Sequence, residues 1–328
     1  MNLRVLSEAQ VKGLATMREA IDVQREAFAL QARGVSAPGL VRWLDREAET
    51  PSCLVGFLPA FLGGGRGFGV KIVSDFYGRR DPATPHMAAT VLVCDGTTGA
   101  PRAVISAGHL TDLRTGAATG LAVDLLARRD ARVAAIFGAG RVARNQAEAL
   151  CEVRDVETIW VCGRTESRLQ AYTADLRARG GRIPGDVRIA RSTRDAVAAA
   201  DVVITATTAR APVFDGRALR PGTCVVTAGA HREVDSETLR RAGKIVADMR
   251  EAVAWAPVFT VPLGEGVVQE ADIAELGELV LGLRPGRESP EEITFCNTQG
   301  VPVQDLVTAQ YVLRKAEERN IGTVIPLL

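Results

Sequence analysis

Apolar residues recur at helical spacing over residues 6–33, where Val11, Leu14, Met17, Ile21 and Phe28 share a face, and they predict a helix there. From about residue 53 to 107 the texture changes to short apolar runs cut by Gly and Pro. Cys53–Phe61, Gly67–Val73, Ala88–Cys94 and Ala103–Ser106 read as strands, with Asp95-Gly96-Thr97-Thr98-Gly99 as a hairpin turn between the last two. Residues 110–127 return to helical spacing, with Thr111 or Asp112 available as the cap. From about residue 131 strands and helices alternate: Val133–Phe137, helix Val142–Glu152, Thr158–Val161, helix Glu166–Ala178, then strands Val187–Ala190, Asp201–Ala206 and Cys224–Ala228. Continuous Val/Ile/Ala runs between amphipathic helices indicate a parallel sheet covered on both faces. Near the end, Val303–Glu318 reads as a helix with Leu306, Ala309, Leu313 and Ala316 on one face. The expected fold class is α/β: a Rossmann-type doubly wound parallel sheet over residues 126–300, plus a discontinuous α+β domain formed by 1–125 and 301–328.

Composition narrows the classes. The 328 residues are 47% hydrophobic and 24% charged, ordinary for a chain that buries a core, which argues against disorder and against a disulfide-stapled miniprotein. A formal charge of +1 gives no basic footprint for nucleic acid. No apolar run approaches a membrane span, and Met1-Asn2-Leu3-Arg4-Val5 lacks a secretory apolar core, so a cytoplasmic protein is expected. The six cysteines (Cys53, Cys94, Cys151, Cys162, Cys224 and Cys296) have no CxxC or metal-ligand spacing and read as free buried thiols. His86, His109 and His231 likewise form no metal-ligand pattern, so no metal is expected. Of forty basic residues only Lys12, Lys71, Lys244 and Lys315 are lysines, which makes a lysine in a suggestive place more informative than an arginine.

Phe137-Gly138-Ala139-Gly140-Arg141-Val142-Ala143 is a GxGxxA pattern at a strand end and a helix start. Gly138 permits the tight turn, Gly140 lets the backbone approach a pyrophosphate, and Ala143 allows close helix–strand packing. The free N–H groups at the helix start, from Arg141 and Val142 onward, would receive the phosphates. The second strand ends Val161-Cys162-Gly163-Arg164-Thr165, with no acidic residue for a ribose 2′-hydroxyl. Arg164 with Thr165 suits a 2′-phosphate, hence NADP with NAD possible; the alternative is a solvated surface arginine. Lys71 lies in a predicted strand between apolar neighbours, an expensive place for an ammonium without a partner, and Arg114 in Thr111-Asp112-Leu113-Arg114-Thr115 can grip a carboxylate bidentately. By spacing alone a surface or structural ion pair is the better reading of each.

Gly69-Val70-Lys71-Ile72-Val73-Ser74, Asp95-Gly96-Thr97-Thr98-Gly99-Ala100-Pro101, Leu110-Thr111-Asp112-Leu113-Arg114-Thr115-Gly116-Ala117-Ala118 and Gly138-Ala139-Gly140-Arg141-Val142-Ala143-Arg144-Asn145-Gln146 occur in that order. The series resembles the ornithine cyclodeaminase/mu-crystallin family over nearly the whole chain, including Gln304-Asp305-Leu306 at the last helix start. The resemblance implies a homodimer, with one domain for substrate and dimerisation and a Rossmann domain for a pyridine nucleotide. It also implies hydride transfer at an amino- or imino-acid carbon. It makes Lys71 and Arg114 ligands of a substrate carboxylate, Arg42 a third basic ligand at a longer spacing than the pattern, and Thr205, Ala206 and Thr207 the loop over the cofactor.

Two departures stand out. Family cyclodeaminases carry a catalytic Asp shortly after the strand ending here at Val226-Thr227-Ala228-Gly229, whereas this chain continues Ala230-His231-Arg232-Glu233 with a shortened loop. His231 then reads either as an acid/base or as a surface histidine. Phe295-Cys296-Asn297-Thr298-Gln299-Gly300 is one residue longer than the family segment. The expected function is an NAD(P)-dependent imine reductase or amino-acid dehydrogenase for a small anionic substrate, with Lys71 and His231 as catalytic candidates. The alternatives are an ornithine-type cyclodeaminase with catalytic NAD and a non-catalytic nucleotide-dependent binding protein.

Overall fold

A computed structural model describes residues 1–38, 42–45, 53–76, 87–229 and 231–327. In chain order the elements are β1 (Asn2–Leu6), α1 (Glu8–Lys12), α2 (Met17–Ala32), β2 (Ser36–Pro38), β3 (Arg42–Asp45), β4 (Cys53–Leu62), β5 (Gly67–Phe76), β6 (Met87–Cys94), β7 (Pro101–Ser106) and α3 (Gly108–Leu126). There follow β8 (Val133–Phe137), α4 (Arg141–Val153), β9 (Thr158–Cys162), α5 (Glu166–Arg179), β10 (Asp186–Ile189), α6 (Thr193–Ala199), β11 (Val202–Thr205), β12 (Cys224–Ala228), α7 (Ser236–Arg241) and β13 (Lys244–Ala247). The last elements are α8 (Pro257–Gly264), β14 (Ile273–Glu275), α9 (Leu276–Val280), β15 (Thr294–Thr298), α10 (Pro302–Glu318) and β16 (Thr323–Pro326). The chain divides into two units, Met1–Arg114 with Val301–Leu328, and Thr115–Gly300.

In the first unit the sheet runs β16-β1-β7-β6-β5-β4-β2, with β3 also paired to β4. β1 and β7 are parallel and the other pairs antiparallel. Strand alternation sends Leu58, Ala60, Leu62, Val91 and Val93 to a buried face, on which α10 packs and against which α10 also meets α2. Lys71 points to that same buried face, whereas its neighbour Ile72 is exposed on the other. A side chain at Gly69 would run into the Leu92 carbonyl and crowd Leu306. Glycine there lets α10 lie close to β5 and brings its first turn toward Lys71.

The second unit is an all-parallel sheet of order β10-β9-β8-β11-β12-β15-β13-β14. Its first five strands follow the doubly wound order, with the topological switch between β8 and β11, where ligands bind outside the strand ends. The core joins Phe137 to Phe214 and Phe259 to Phe295, the latter edge to face.

The structure corrects several local expectations. Residues 6–33 are not one helix: β1 ends at Leu6, and α1 and α2 are separate because Ser7 and Thr16 each cap a new start. α3 begins at Gly108, and the Thr111 N–H already bonds to the Ala107 carbonyl, so Thr111 and Asp112 lie inside the helix rather than capping it. The segment 295–300 supplies most of a central strand, β15, between β12 and β13. Buried Asn297 and half-buried Gln299 are both partnered: Asn297 Nδ2 donates to Thr227 Oγ1 at 2.7 Å, and Gln299 Nε2 donates to the Gly229 carbonyl at 2.9 Å.

Candidate functional site

Within the first unit, β5, α3 and α10 bring three charged side chains together. Lys71 Nζ lies 2.7 Å from Asp305 Oδ2, and Arg114 Nε donates to Asp305 Oδ1 at 3.1 Å. All three are buried, Lys71 at 3% exposure. Arg114 Nη1 also donates to Gln304 Oε1 at 3.4 Å, and Gln304 Oε1 accepts the Val301 N–H at 2.8 Å, closing the start of α10. Gln304 Nε2 donates to Gln24 Oε1 and Gln24 Nε2 to Thr308 Oγ1, both at 2.9 Å, so α2 locks the same turn. Burial drives the Lys71 ammonium down to about 8; Asp305 opposes that fall and Arg114 adds to it. The trio therefore sets two cations against one anion in a water-poor place, one negative charge short of neutrality. A monoanionic carboxylate supplies that charge, and such groups bind strongly to guanidinium and ammonium donors.

Arg42 opens β3 opposite Phe57, but its side chain lies outside the described residues, as does His86.

In the second unit a cavity of about 560 Å³ opens at the switch point between β8 and β11. Gly138, Ala139 and Gly140 form its floor, and Arg164 and Thr165 lie at one side. Gly138 has φ +114°, and a side chain there would strike the Ala206 carbonyl oxygen. Its glycine is thus required by the fold. Gly140 differs: φ is −92°, and a Cβ there would meet nothing within 4 Å. Nothing in the protein's own packing demands glycine at 140, whereas a phosphate approaching the backbone does. Gly140 is also the N-cap of α4 and offers no side-chain acceptor, so the N–H groups of Arg141 and Val142 begin the helix without one from the cap. The residues present fit a dinucleotide. At the start of α5, Thr165 is the N-cap yet its hydroxyl makes no capping bond, and Arg164 is exposed beside it. Arg168, one turn further along, lines the same cavity.

The opposite wall is the segment after β11. Ala206 and Thr207 line the cavity; Thr205 is fully buried beneath, its hydroxyl donating to Glu233 Oε2 at 2.9 Å. His231 is exposed in the bend after β12.

The sequence model of the ornithine cyclodeaminase/mu-crystallin family matches residues 1–320. The chain belongs to this family. It is 34% identical to Thermococcus litoralis Delta(1)-pyrroline-2-carboxylate reductase, solved in complex with NADH and L-proline, with a TM-score of 0.90 over 98% of this chain and 99% of that one. It is 32% identical to an archaeal alanine dehydrogenase solved as a dimer with bound NAD, with a TM-score of 0.90 over the full length of both chains. Among curated proteins, a Delta(1)-pyrroline-2-carboxylate reductase of Bacillus cereus is 32% identical over 97% of this chain and 98% of its own length.

For this family member, three residues that build the sites were not singled out as site residues from the sequence. An acidic residue in a first helical turn, as Asp305 is, reads simply as a partner for the helix dipole. Glu233 follows a loop and carries no spacing signal. Arg168 was visible as a second basic residue four positions after Arg164 on a helix start, which is a readable pattern. Among the described residues, no group of His, Cys, Asp or Glu is arranged to hold a metal ion, and no helix is long and apolar enough to cross a membrane.

Proposed function

We propose that this protein is an NAD(P)H-dependent oxidoreductase acting at the α-carbon of a small imino or amino acid, as an imine reductase, an amino-acid dehydrogenase or both. The observation that carries this reading is the buried Lys71–Asp305–Arg114 cluster with its unmatched positive charge. Lys71 and Arg114 take the substrate carboxylate, with Arg42 as a third basic ligand. Preorganised charge of this kind fixes the acid before reaction and favours the anionic substrate. Gly138, Gly140 and the N–H groups of Arg141 and Val142 hold the pyrophosphate, Arg164 and Thr165 the adenosine ribose or its 2′-phosphate, and Ala206 and Thr207 form the covering wall, with Thr205 buried beneath them. The nicotinamide, when bound, supplies or accepts the hydride. Lys71, depressed to about 8, can surrender a proton to the imine nitrogen near neutral pH, and exposed His231 is the second candidate for that transfer.

The reading assigns residues 1–125 and 301–328 to substrate binding and dimerisation and 126–300 to the nucleotide. The outer sheet face of the first unit exposes Phe57, Phe61 and Ile72, at 37%, 50% and 44%. These suit a second copy of the chain, and the archaeal alanine dehydrogenase relative was solved as a dimer. Buried free thiols at Cys94, Cys151, Cys162, Cys224 and Cys296 suit the reducing cytoplasm.

The test is a substrate panel of cyclic imino acids, pyruvate with amines, amino acids and ornithine, each with NADPH and NADH. Net nucleotide oxidation with an imino acid is the expected result. Ammonia release from ornithine without net redox would make the protein a cyclodeaminase, and tight nucleotide binding with neither reaction would make it a binding protein.

A further inference from the structure

The wall of the nucleotide cavity that follows β11 is a seven-residue excursion, 207–213, with no regular secondary structure. One residue outside it holds both of its ends. Glu233 Oε1 accepts the Thr207 N–H at 2.6 Å, and the Glu233 backbone carbonyl accepts the Val213 N–H at 2.9 Å. The other carboxylate oxygen accepts from Thr205 Oγ1 at the end of β11, and the Glu233 N–H donates to the His231 carbonyl at 3.1 Å. Glu233 is 1% exposed, so it is out of reach of solvent. A carboxylate with no partner in such a place would be costly, and here both oxygens are occupied by donors from the wall and its root.

We infer that Glu233 is a positioning residue for the pyridine nucleotide: it staples the 207–213 wall in the conformation that closes the cavity over the cofactor. This rests on the nucleotide-binding reading above and extends it to a residue that does not itself line the cavity. The staple acts on both halves of the wall, because the side chain fixes Thr207 while the main chain fixes Val213. It also holds Ala206, whose N–H bonds to the Phe137 carbonyl and whose own carbonyl borders Gly138, against the glycine turn. Loss of the carboxylate frees the Thr207 end and leaves the half-buried Thr207 N–H and the buried Thr205 hydroxyl without their acceptors, while the charged cluster around Lys71 has no part in these bonds.

The experiment compares the parent with Glu233→Ala and Glu233→Gln. It measures NADPH and NADH dissociation constants by nucleotide fluorescence, and amide hydrogen exchange on the nucleotide-free protein. Glu233→Ala is expected to weaken nucleotide binding on the order of tenfold or more, with kcat at saturating nucleotide and the KM for the acid substrate within about threefold of the parent. Exchange should rise in 207–213 and not across the parallel sheet. Glu233→Gln should restore binding to within about threefold, because its amide oxygen can accept from Thr207 while its N–H₂ donates to the Thr205 hydroxyl. If Glu233→Ala does not accumulate as folded protein, Thr205→Val removes one of the two side-chain bonds and should weaken nucleotide binding by about three- to tenfold. Parent-like nucleotide affinity in Glu233→Ala, or in Thr205→Val where that variant stands in, overturns the staple. So does a Glu233→Gln variant as impaired as Glu233→Ala. A parent that binds neither nucleotide overturns the underlying reading instead.

Discussion

Replacing Asp305 with Asn removes the anion that lies between two buried cations while keeping the side chain's shape. In the parent, burial and Arg114 push the Lys71 ammonium down and Asp305 holds it up, with about 8 as the outcome. A carboxylate binds the protonated lysine, so kcat/KM for an imino acid should fall as pH rises through about 8. An opposite charge in direct contact typically moves a titration by about one to three pH units, so the variant's alkaline limb should drop to roughly pH 5–7. A drop of two units lowers the protonated fraction at pH 7.5 from about three quarters to about 3%, a loss of about 25-fold in kcat/KM. At about pH 5.5 the loss should shrink to a few-fold, because the lysine is again substantially charged and the substrate carboxylate no longer competes with Asp305 for it. The assay is a kcat/KM–pH profile for parent and variant at saturating nucleotide. Removing one partner of a buried pair can cost on the order of 3–5 kcal/mol, so melting temperature and nucleotide affinity are measured alongside. An alkaline limb that stays near pH 8 in a folded, nucleotide-binding variant would refute the argument that Asp305 sets the charge state of Lys71.

Gly140→Ala should leave the melting temperature within a few degrees of the parent, since its φ is ordinary and its Cβ would meet nothing, yet weaken nucleotide binding about tenfold or more by occupying the pyrophosphate's approach; unchanged affinity on titration would remove the phosphate from that spot. Arg164→Ala should weaken NADPH binding about 10- to 100-fold more than NADH binding, the worth of a charge-assisted contact to a 2′-phosphate, whereas equal losses would return Arg164 to the surface. His231→Asn should lower turnover and remove one limb of the pH–rate profile; an unaltered profile with unaltered turnover would make it an exposed loop histidine.

The parallel half of the fold was legible because its inner strands, such as β8 and β11, are buried runs rich in Val, Ile and Ala between helices, and the strand–turn–helix setting of GxGxxA placed the cavity. β15 was missed because Thr294–Thr298 carries two threonines, a cysteine and an asparagine, buried residues whose polarity is met by neighbours from β12 that periodicity cannot see. β1 and β16 escaped because each is a short strand at a chain end, with β16 exposed throughout. In the candidate sites, Lys71 and Arg114 were readable as costly or gripping cations. Asp305 was not, because its meaning comes from a contact made across the sheet by a helix far along the chain. Glu233 had the same difficulty: its role lies in bonds to residues more than two turns of chain away, with no local pattern.

Isotope transfer reports whether a hydride passes from the nucleotide to the α-carbon of an imino acid. Enzyme is incubated with a cyclic imino acid and NADPH or NADH deuterated at the hydride-bearing carbon, and the amino-acid product is analysed by mass spectrometry. One deuterium should be retained at the α-carbon, in proportion to nucleotide oxidised, and this transfer should be lost when Lys71 is replaced by Met. Product formed without deuterium, or nucleotide left unoxidised while ammonia accumulates, would contradict it.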